Sequence, residues 1–481
     1  MGRLNNKLAK GWTRLGTQFL PFADIATPEL PLLQLLRLSL FQVTVGMAAA
    51  LLVGTLNRVM IVELGAPAWL VAMMVALPLL FAPFRALVGF RSDTHRSVLG
   101  WKRVPYIWMG TLLQFGGLSI MPFALILLSG DMTQGPSWLG HVSAALAFLL
   151  TGAGMQITQT SGLALATDMA TDETRPGMVA LMHVMLLVGM VVSGLAFGVL
   201  LADFSQLRLI QVVQGCAVVT MVVNLFALWK QEPRGTVRPV APGLQSVRSS
   251  FRSTWRAFAG QRHAMRLLVT VGLGSAAFSM QDVILEPYGG EILGLSVGAT
   301  TQLTAITALG ALVAFALAAH WLGSGVNPNR LAATGALVGI AAFSAVIFAE
   351  PLGSPLLFRC GVALIGVGGG LFSVSMLTAA MTLESGGLHG LALGAWGAVQ
   401  ACCAGIALAL GGALRDVFSG IAMSGALGAG MATPATAYSF VYHIEIALLF
   451  ATLVAVGPLI RRRDRAVASP PGKFGLAELP G

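Results

Sequence analysis

Residues Gly89 to Arg96 read GFRSDTHR, and residues Gly323 to Arg330 read GSGVNPNR. Both stretches follow the pattern G-x-x-x-D/N-x-x-R, and each is a short polar interval after an apolar segment. The first follows the second apolar segment of the chain and the other follows the eighth. The chain therefore repeats itself after six apolar segments, which is typical of membrane proteins built from two related halves.

Two weaker correspondences support this repeat. Near the end of the first apolar segment, residues 56–59 read LNRV, and residues 280–283 of the seventh segment read MQDV. The polar interval after the fourth segment is also matched by the one after the tenth. The matched residues there are Thr171, Glu173 and Thr174 in the first half and Thr382, Glu384 and Ser385 in the second.

The composition excludes a water-soluble fold. Of the 481 residues, 56% are hydrophobic and 10% are charged, whereas soluble domains carry about 25% charged residues. The mean hydropathy is +0.81. The net charge of +10 comes from basic residues between the apolar segments, without interleaved aromatic residues, so no nucleic-acid partner is expected.

Twelve segments approach the roughly 20 apolar residues that a helix needs to cross a bilayer. The predicted spans are 37–60, 68–90, 104–128, 139–167, 177–201, 208–229, 267–288, 299–321, 330–349, 355–380, 389–414 and 438–460. They predict an all-α polytopic membrane protein. Its parts would be an N-terminal segment (1–36), two six-helix bundles (37–229 and 267–460), a basic linker (230–266) and a C-terminal tail (461–481).

The distribution of lysine and arginine predicts the orientation. Both ends and the loops on their side contain most of these residues, whereas the opposite loops contain only Arg208, Arg359 and Arg415. Short loops rich in lysine and arginine stay cytoplasmic, so both termini are predicted to be cytoplasmic. Within residues 1–36, apolar and basic residues recur at helical spacing, which fits either an interfacial helix or a solvated basic tail.

The loop between spans two and three resembles the signature loop of major facilitator transporters, because GWKR at 100–103 follows the G-x-x-x-D-x-x-R pattern. The resemblance implies a major facilitator superfamily fold with two pseudo-symmetric halves. It also implies a latch that biases the bundle between two arrangements, formed by Gly89, Asp93, Arg96, Glu173 and Arg175. The alternative is a static helix cap whose charges only set the topology.

A narrower resemblance concerns the family that delivers bacteriochlorophyll, whose branches are called PucC and LhaA. It is carried by GTLNRVMIVELG at 54–65, RALVGFRSD at 85–93, GWKRVPY at 100–106, RPGMVALMHVMLLVG at 175–189 and LALGAWGAVQ at 391–400. The chain's length and long tails are more similar to the LhaA branch, which serves the core light-harvesting antenna.

This resemblance implies an assembly factor for photosynthetic light-harvesting complexes in the bacterial inner (intracytoplasmic) membrane. Bacteriochlorophyll would be a transient cofactor, handed to nascent antenna polypeptides. The implied partners are those polypeptides, the reaction-centre core complex, the lipid bilayer and, as further candidates, bacteriochlorophyll synthase and the membrane insertion machinery. The sequence shows no nucleotide-binding loop and no paired metal-binding histidines, so no enzyme is expected.

Two ionisable residues near matched span ends form the first candidate site. Arg58 in span one and Asp282 in span seven occupy matched positions of the LNRV and MQDV repeats. Ionisable groups are expensive in lipid, so they are expected to have a partner. One hypothesis is a salt bridge between the halves; the other is that each side chain reaches the interface separately.

A histidine at membrane depth is the expected ligand for a pigment magnesium, and no other metal site is predicted. His183 lies inside span five and His443 lies in the outer part of span twelve. Trp396, between Gly394 and Gly397, could stack on a macrocycle. The alternatives are a histidine hydrogen-bonded across helices and glycines that serve close helix packing.

Two other functions are compatible with the sequence. A major facilitator fold commonly serves secondary transport of small solutes, and a pigment-free scaffold would recruit the same assembly machinery. Transport with proton coupling would need intramembrane acids, of which Asp282 is the main candidate.

Overall fold

The computed structural model describes residues 31–80, 101–128, 138–171, 174–231, 260, 262–381 and 389–466. Most of the N-terminal segment, most of the linker and residues 467–481 of the tail lie outside these ranges. In the described residues the fold is entirely helical. Eleven helices are long and apolar enough to cross a membrane, and a further apolar helix is described over Ala68–Leu79.

We number the helices α1 to α12 in chain order. Ten of them are continuous: α2 (Ala68–Leu80), α3 (Val104–Leu128), α4 (Trp138–Met169), α5 (Arg175–Leu200), α6 (Gln206–Leu228), α8 (Val297–Gly323), α9 (Pro328–Ala349), α10 (Pro355–Met381), α11 (His389–Met423) and α12 (Pro434–Ala466). The other two are irregular. Helix α1 comprises Leu32–Ala49 and the π-helical segments Ala50–Leu56 and Val59–Glu63, and α7 comprises Arg262–Ser279, the 3₁₀ turn Met280–Val283 and Leu285–Glu291.

Local sequence explains where several helices begin. Ser205 and Ser296 accept hydrogen bonds from the backbone amides of Arg208 and Ala299, at the starts of α6 and α8. Asn327, the asparagine of the second G-x-x-x-N-x-x-R stretch, accepts a hydrogen bond from the Asn329 amide and is followed by Pro328 in the first turn of α9. Such side chains satisfy amides that a helix leaves without partners at its N-terminus.

The two halves, α1–α6 and α7–α12, pack against each other through small residues. A β-carbon on Gly298 of α8 would overlap the Gly198 carbonyl oxygen of α5. One on Gly412 of α11 would overlap Ala68 and Ala72 of α2. Backbones can approach this closely only where side chains are absent.

These contacts lie at one end of the bundle, which we call the closed end. It contains the end of α1, the start of α2, the end of α7 and the start of α8. The sequence predicts that this is the periplasmic end, because the loops there are poor in lysine and arginine. We call the opposite end, where α5 begins and α8 ends, the open end.

Glycine-to-alanine substitutions along α11 should distinguish a position that contacts α2 from a position that faces open space. Gly412→Ala should lower the free energy of unfolding by about 1–3 kcal/mol, because the new methyl group overpacks against the α2 backbone. Gly420→Ala is the matched control, since a β-carbon there meets no atom within 4 Å, and alanine favours a helix. Thermal unfolding of the purified variants in detergent checks this. Equal midpoints would show that α2 and α11 are not in close contact.

Candidate functional site at the junction of the two halves

The irregular parts of α1 and α7 meet at the closed end through Asn57. This side chain is fully buried, and its amide nitrogen lies 3.3 Å from the carbonyl oxygens of Asp282 and Val283 and from Glu286 Oε2. Pro287 has no N–H, so the Val283 carbonyl lacks its normal helical donor four residues on. Asn57, from the other half, supplies a donor to that oxygen.

Three acidic residues surround this junction. Glu286 is buried and also accepts a hydrogen bond from Thr304 of α8, at 3.0 Å. Asp282 lies near both Glu286 and Glu445. Among the described residues, none of these acids forms an ion pair with a lysine, arginine or histidine. The described part of the chain also holds no cluster of three or more side chains suited to a metal ion.

Glu445, in the middle of α12, has no solvent exposure. Its carboxylate forms no hydrogen bond of regular geometry, although the Gln281 backbone amide lies close to it, and the neighbouring Tyr442 hydroxyl has no partner. The side-chain oxygen of Gln281, in the 3₁₀ turn of α7, is also buried without a hydrogen-bond partner. Buried polar atoms usually have partners, so these unpartnered atoms mark the junction as a site built for more than packing.

The predicted salt bridge between Arg58 and Asp282 is wrong. Arg58 instead pairs with Glu63 of its own helix and donates to the Leu295 carbonyl oxygen of the other half at 3.4 Å. The π-helical winding of Val59–Glu63 explains this choice, because hydrogen bonds between residues five apart bring residues 58 and 63 to one side of the helix. The repeats at 56–59 and 280–283 do face each other, but the residue that donates side-chain hydrogen bonds to α7 is Asn57.

A second polar cluster lies at the closed end of the second half. Arg415 of α11 donates to Glu291 at 2.6 Å and to Asp416 at 3.0 Å, and its guanidinium lies over the Tyr438 ring. Asp416 also accepts a hydrogen bond from the Trp69 amide at the start of α2, at 2.8 Å. This backbone contact is a further link between the halves.

Sequence reasoning missed Asn57, Glu286, Glu291 and Glu445 as site residues. For two of them a signal was present, because Glu286 and Glu445 are acids inside predicted spans, where ionisable groups are usually functional. Asn57 and Glu291 gave weaker signals. Asn57 lies inside span one but is uncharged, and Glu291 falls just beyond the predicted end of span seven.

His183 is half-buried in α5. Its Nδ1 donates to the Val179 carbonyl oxygen at 2.9 Å, since a carbonyl can only accept. A histidine held in this way would bind a metal through Nε2.

His443 has the same tautomer, because its Nδ1 donates to the Ser439 carbonyl oxygen at 2.7 Å. It is exposed, in a groove of about 600 Å³ at the closed end. The groove is also lined by Glu350 and Tyr288, which makes it more polar than the surroundings of His183.

Trp396 lies near the open end of α11 and packs against an apolar cluster that includes Phe372 and Val456. Its indole nitrogen is buried and has no acceptor. A β-carbon on Gly394 or Gly397 would meet no atom within 4 Å. The glycines beside Trp396 therefore leave open space and do not serve close packing.

Most of the predicted latch lies outside the described residues, namely Gly89, Asp93, Arg96 and Glu173. Arg175 begins α5, but its side chain is not described. A neighbouring contact is described: Arg103 at the start of α3 pairs with Asp168 near the end of α4, at 3.0 Å. This ion pair joins two helix ends of the first half at the open end.

Comparison with known proteins gives a family match over most of the chain. The family described as "PUCC protein" matches residues 55–464. A Rhodobacter capsulatus protein, "Uncharacterized protein in puhA-bchM intergenic region", is 55% identical over 470 residues, which cover 97% of this chain and 98% of that protein. "Protein PucC" of Rhodovulum sulfidophilum is 55% identical over 418 residues, which cover 86% and 92%.

Solved structures show the fold. A bacterial homologue of the human lysosomal transporter Spinster, in an inward-facing and unoccupied conformation, gives a TM-score of 0.65. It is 14% identical, and the alignment covers 91% of this chain and 98% of that one. At this identity the likeness concerns the fold alone, which is that of major facilitator transporters.

Charge exchange distinguishes the two possible partners of Arg58. Each single variant, Arg58→Glu or Glu63→Arg, should lower the thermal midpoint, because it leaves a charge facing a like charge. The double variant should recover much of the loss. Combining Arg58→Asp with Asp282→Arg should recover none of the lost thermal midpoint. If the midpoint does recover in that double variant, Arg58 and Asp282 are paired between the halves after all.

Glu445→Gln should leave the thermal midpoint unchanged or raise it, because the amide keeps the shape of the carboxylate, can still accept from the nearby Gln281 backbone amide, and breaks no ion pair. Glu291→Gln is the matched comparison and should lower the midpoint, since Glu291 accepts from Arg415 and from Tyr438. Both variants are measured by thermal unfolding in the same detergent. A larger loss in Glu445→Gln would mean that its carboxylate has a partner.

Proposed function

We infer the function from the finding that this chain belongs to the PUCC protein family. We propose that it is an assembly factor for bacterial light-harvesting complexes, which binds bacteriochlorophyll and delivers it to nascent antenna polypeptides. The observation that carries the proposal is identity of 55% to a protein named PucC over 86% of the chain. The PUCC family is not an enzyme family, and binding without turnover is the chemistry proposed.

Two features of the structure support pigment binding. Bacteriochlorophyll would supply a magnesium ion, and His183, half-buried within α5, would be the residue to hold it. Trp396 has a buried indole N–H without an acceptor, beside the open space at Gly394 and Gly397. A flat macrocycle with peripheral carbonyl groups could fill that space and accept this hydrogen bond.

Three finer points belong to the same proposal. The core antenna is favoured as the client, because the length and tails of this chain are more similar to the LhaA branch. The partners would be antenna polypeptides and the reaction-centre core complex, together with bacteriochlorophyll synthase and the membrane insertion machinery. The protein would lie in the inner (intracytoplasmic) membrane with both termini in the cytoplasm.

The buried acids favour a second candidate function. Asp282, Glu286 and Glu445 lie together in the second half without a basic partner among the described residues. Intramembrane acids of this kind often serve proton coupling. This observation supports a secondary transporter of a small solute, and uptake of solutes by vesicles with an imposed proton gradient would detect it.

The absorption spectrum of the protein, purified in mild detergent from a photosynthetic host, tests the first proposal. A bacteriochlorophyll band is expected in the wild type. It should be lost in His183→Ala and retained in His443→Ala, whose histidine lies in a more polar groove. A wild-type protein without pigment would contradict pigment delivery and leave the transporter or a pigment-free scaffold.

A further inference from the structure

A groove of about 800 Å³ lies between α5 and α6, and α1 contributes to its lining. The two helices are joined at the closed end by the short connection 201–205. The rims of the groove carry exposed apolar side chains, Val192 and Val199 on α5 and Val219 on α6. In a protein that spans a membrane such side chains face the hydrocarbon, so the groove opens sideways to the lipid.

The groove has a buried floor. Met47 of α1, Phe197 of α5 and Cys216 of α6 line it, and each is at most 7% exposed. Gly215 also lines the groove, and a β-carbon there would meet no atom within 4 Å. This glycine therefore serves no close helix contact, and its effect is to widen the groove. The groove is closed from behind by three helices of the same half.

The length of the groove matches one leaflet of a bilayer. Along α6 it runs from Arg208 to Val219, eleven positions that correspond to about 16 Å at about 1.5 Å per residue. The hydrocarbon core of a bilayer is about 30 Å thick, so one leaflet contributes about 15 Å. An acyl chain that starts beside Arg208 would therefore lie in the groove over the full depth of its leaflet.

The mouth of the groove, at the closed end, is charged. Arg208 donates through Nη1 to the backbone carbonyl oxygen of Asp203 at 3.0 Å and to its carboxylate at 3.2 Å. The side chain of Arg208 is 48% exposed and that of Asp203 is 92% exposed. A guanidinium has further N–H donors on its other two nitrogens. These donors are suited to a phosphate, while the Asp203 carboxylate is suited to a cation.

We propose that the α5–α6 groove binds a phospholipid with a zwitterionic head group, phosphatidylethanolamine. One acyl chain lies in the apolar groove, the phosphate accepts hydrogen bonds from Arg208, and the ammonium group donates to Asp203. An anionic phospholipid satisfies Arg208 but places no cation beside Asp203, so it binds less tightly. The site is independent of what the protein delivers or transports.

The bound lipid lies behind a helix that joins the two halves. Gly198 of α5 packs against Gly298 of α8. Ala196, two positions earlier, lines the groove and points to the opposite side of α5, because a helix turns by about 100° per residue. Helix α5 is thus held between the other half and the lipid. Binding should therefore stabilise the contact between α5 and α8 and raise the thermal midpoint.

Thermal unfolding of delipidated protein in detergent measures the head-group preference, with dioleoyl-phosphatidylethanolamine or dioleoyl-phosphatidylglycerol added. For half of the maximal rise in midpoint, the wild type should need about tenfold less of the ethanolamine lipid, because only this lipid pairs both charges. Asp203→Asn should remove the preference, since the ammonium loses its partner. Arg208→Gln should weaken the response to both lipids.

Filling the groove tests the position of the acyl chain. Gly215→Phe should raise the concentration needed for half of the maximal rise about tenfold or more for both lipids, because the ring occupies the groove. The matched control is Gly420→Phe in α11, where a β-carbon also meets no atom within 4 Å, and it should respond as the wild type does. Gel filtration shows whether each variant is folded.

The head-group variants keep the test decisive if Gly215→Phe does not fold, because an exposed ion pair contributes little to stability. An equal response of the wild type to both lipids would overturn the proposal, as would an unchanged preference in Asp203→Asn. A folded Gly215→Phe variant that responds as the wild type does would also overturn it. None of these results would change the test of pigment delivery.

Discussion

The structure depends on one constraint, which is that no water is available in the bilayer core to satisfy a broken backbone hydrogen bond. Helix α7 breaks this rule locally, because Pro287 deprives the Val283 carbonyl of its donor. The compensation comes from Asn57 on the irregular part of α1, in the other half. Two departures from regular helix thus depend on each other, and their contact holds the closed end together.

Some of these features can be predicted from the sequence and others cannot. Span number, the division into halves and the pairing of 56–59 with 280–283 follow from hydropathy and repeats, and the fold has been confirmed. The partner of Arg58 was mispredicted because a regular helix was assumed. In regular winding residues 58 and 63 point apart, and only the π-helical segment brings them together. Glu445 carried a signal, as an acid inside a predicted span, but the sequence did not indicate that its neighbours would come from another helix.

Family membership and fold limit the function of this protein in different ways. Family membership indicates the setting of photosynthetic complex assembly, whereas the fold is shared with transporters and does not decide between roles. The buried acids are compatible with an ancestry in coupled transport. Half-buried His183 in α5 instead suits an apolar ligand that carries a metal ion.

The pairing of Arg58 with Glu63 has a consequence for kinetics. All the ion pairs among the described residues join groups of the same half, whereas the described hydrogen bonds across the junction end on backbone groups or neutral side chains, apart from those to Glu286 and Asp416. Parting the halves therefore separates few opposite charges. The rate of that movement should depend little on ionic strength and more on how well the bilayer solvates the exposed helix faces.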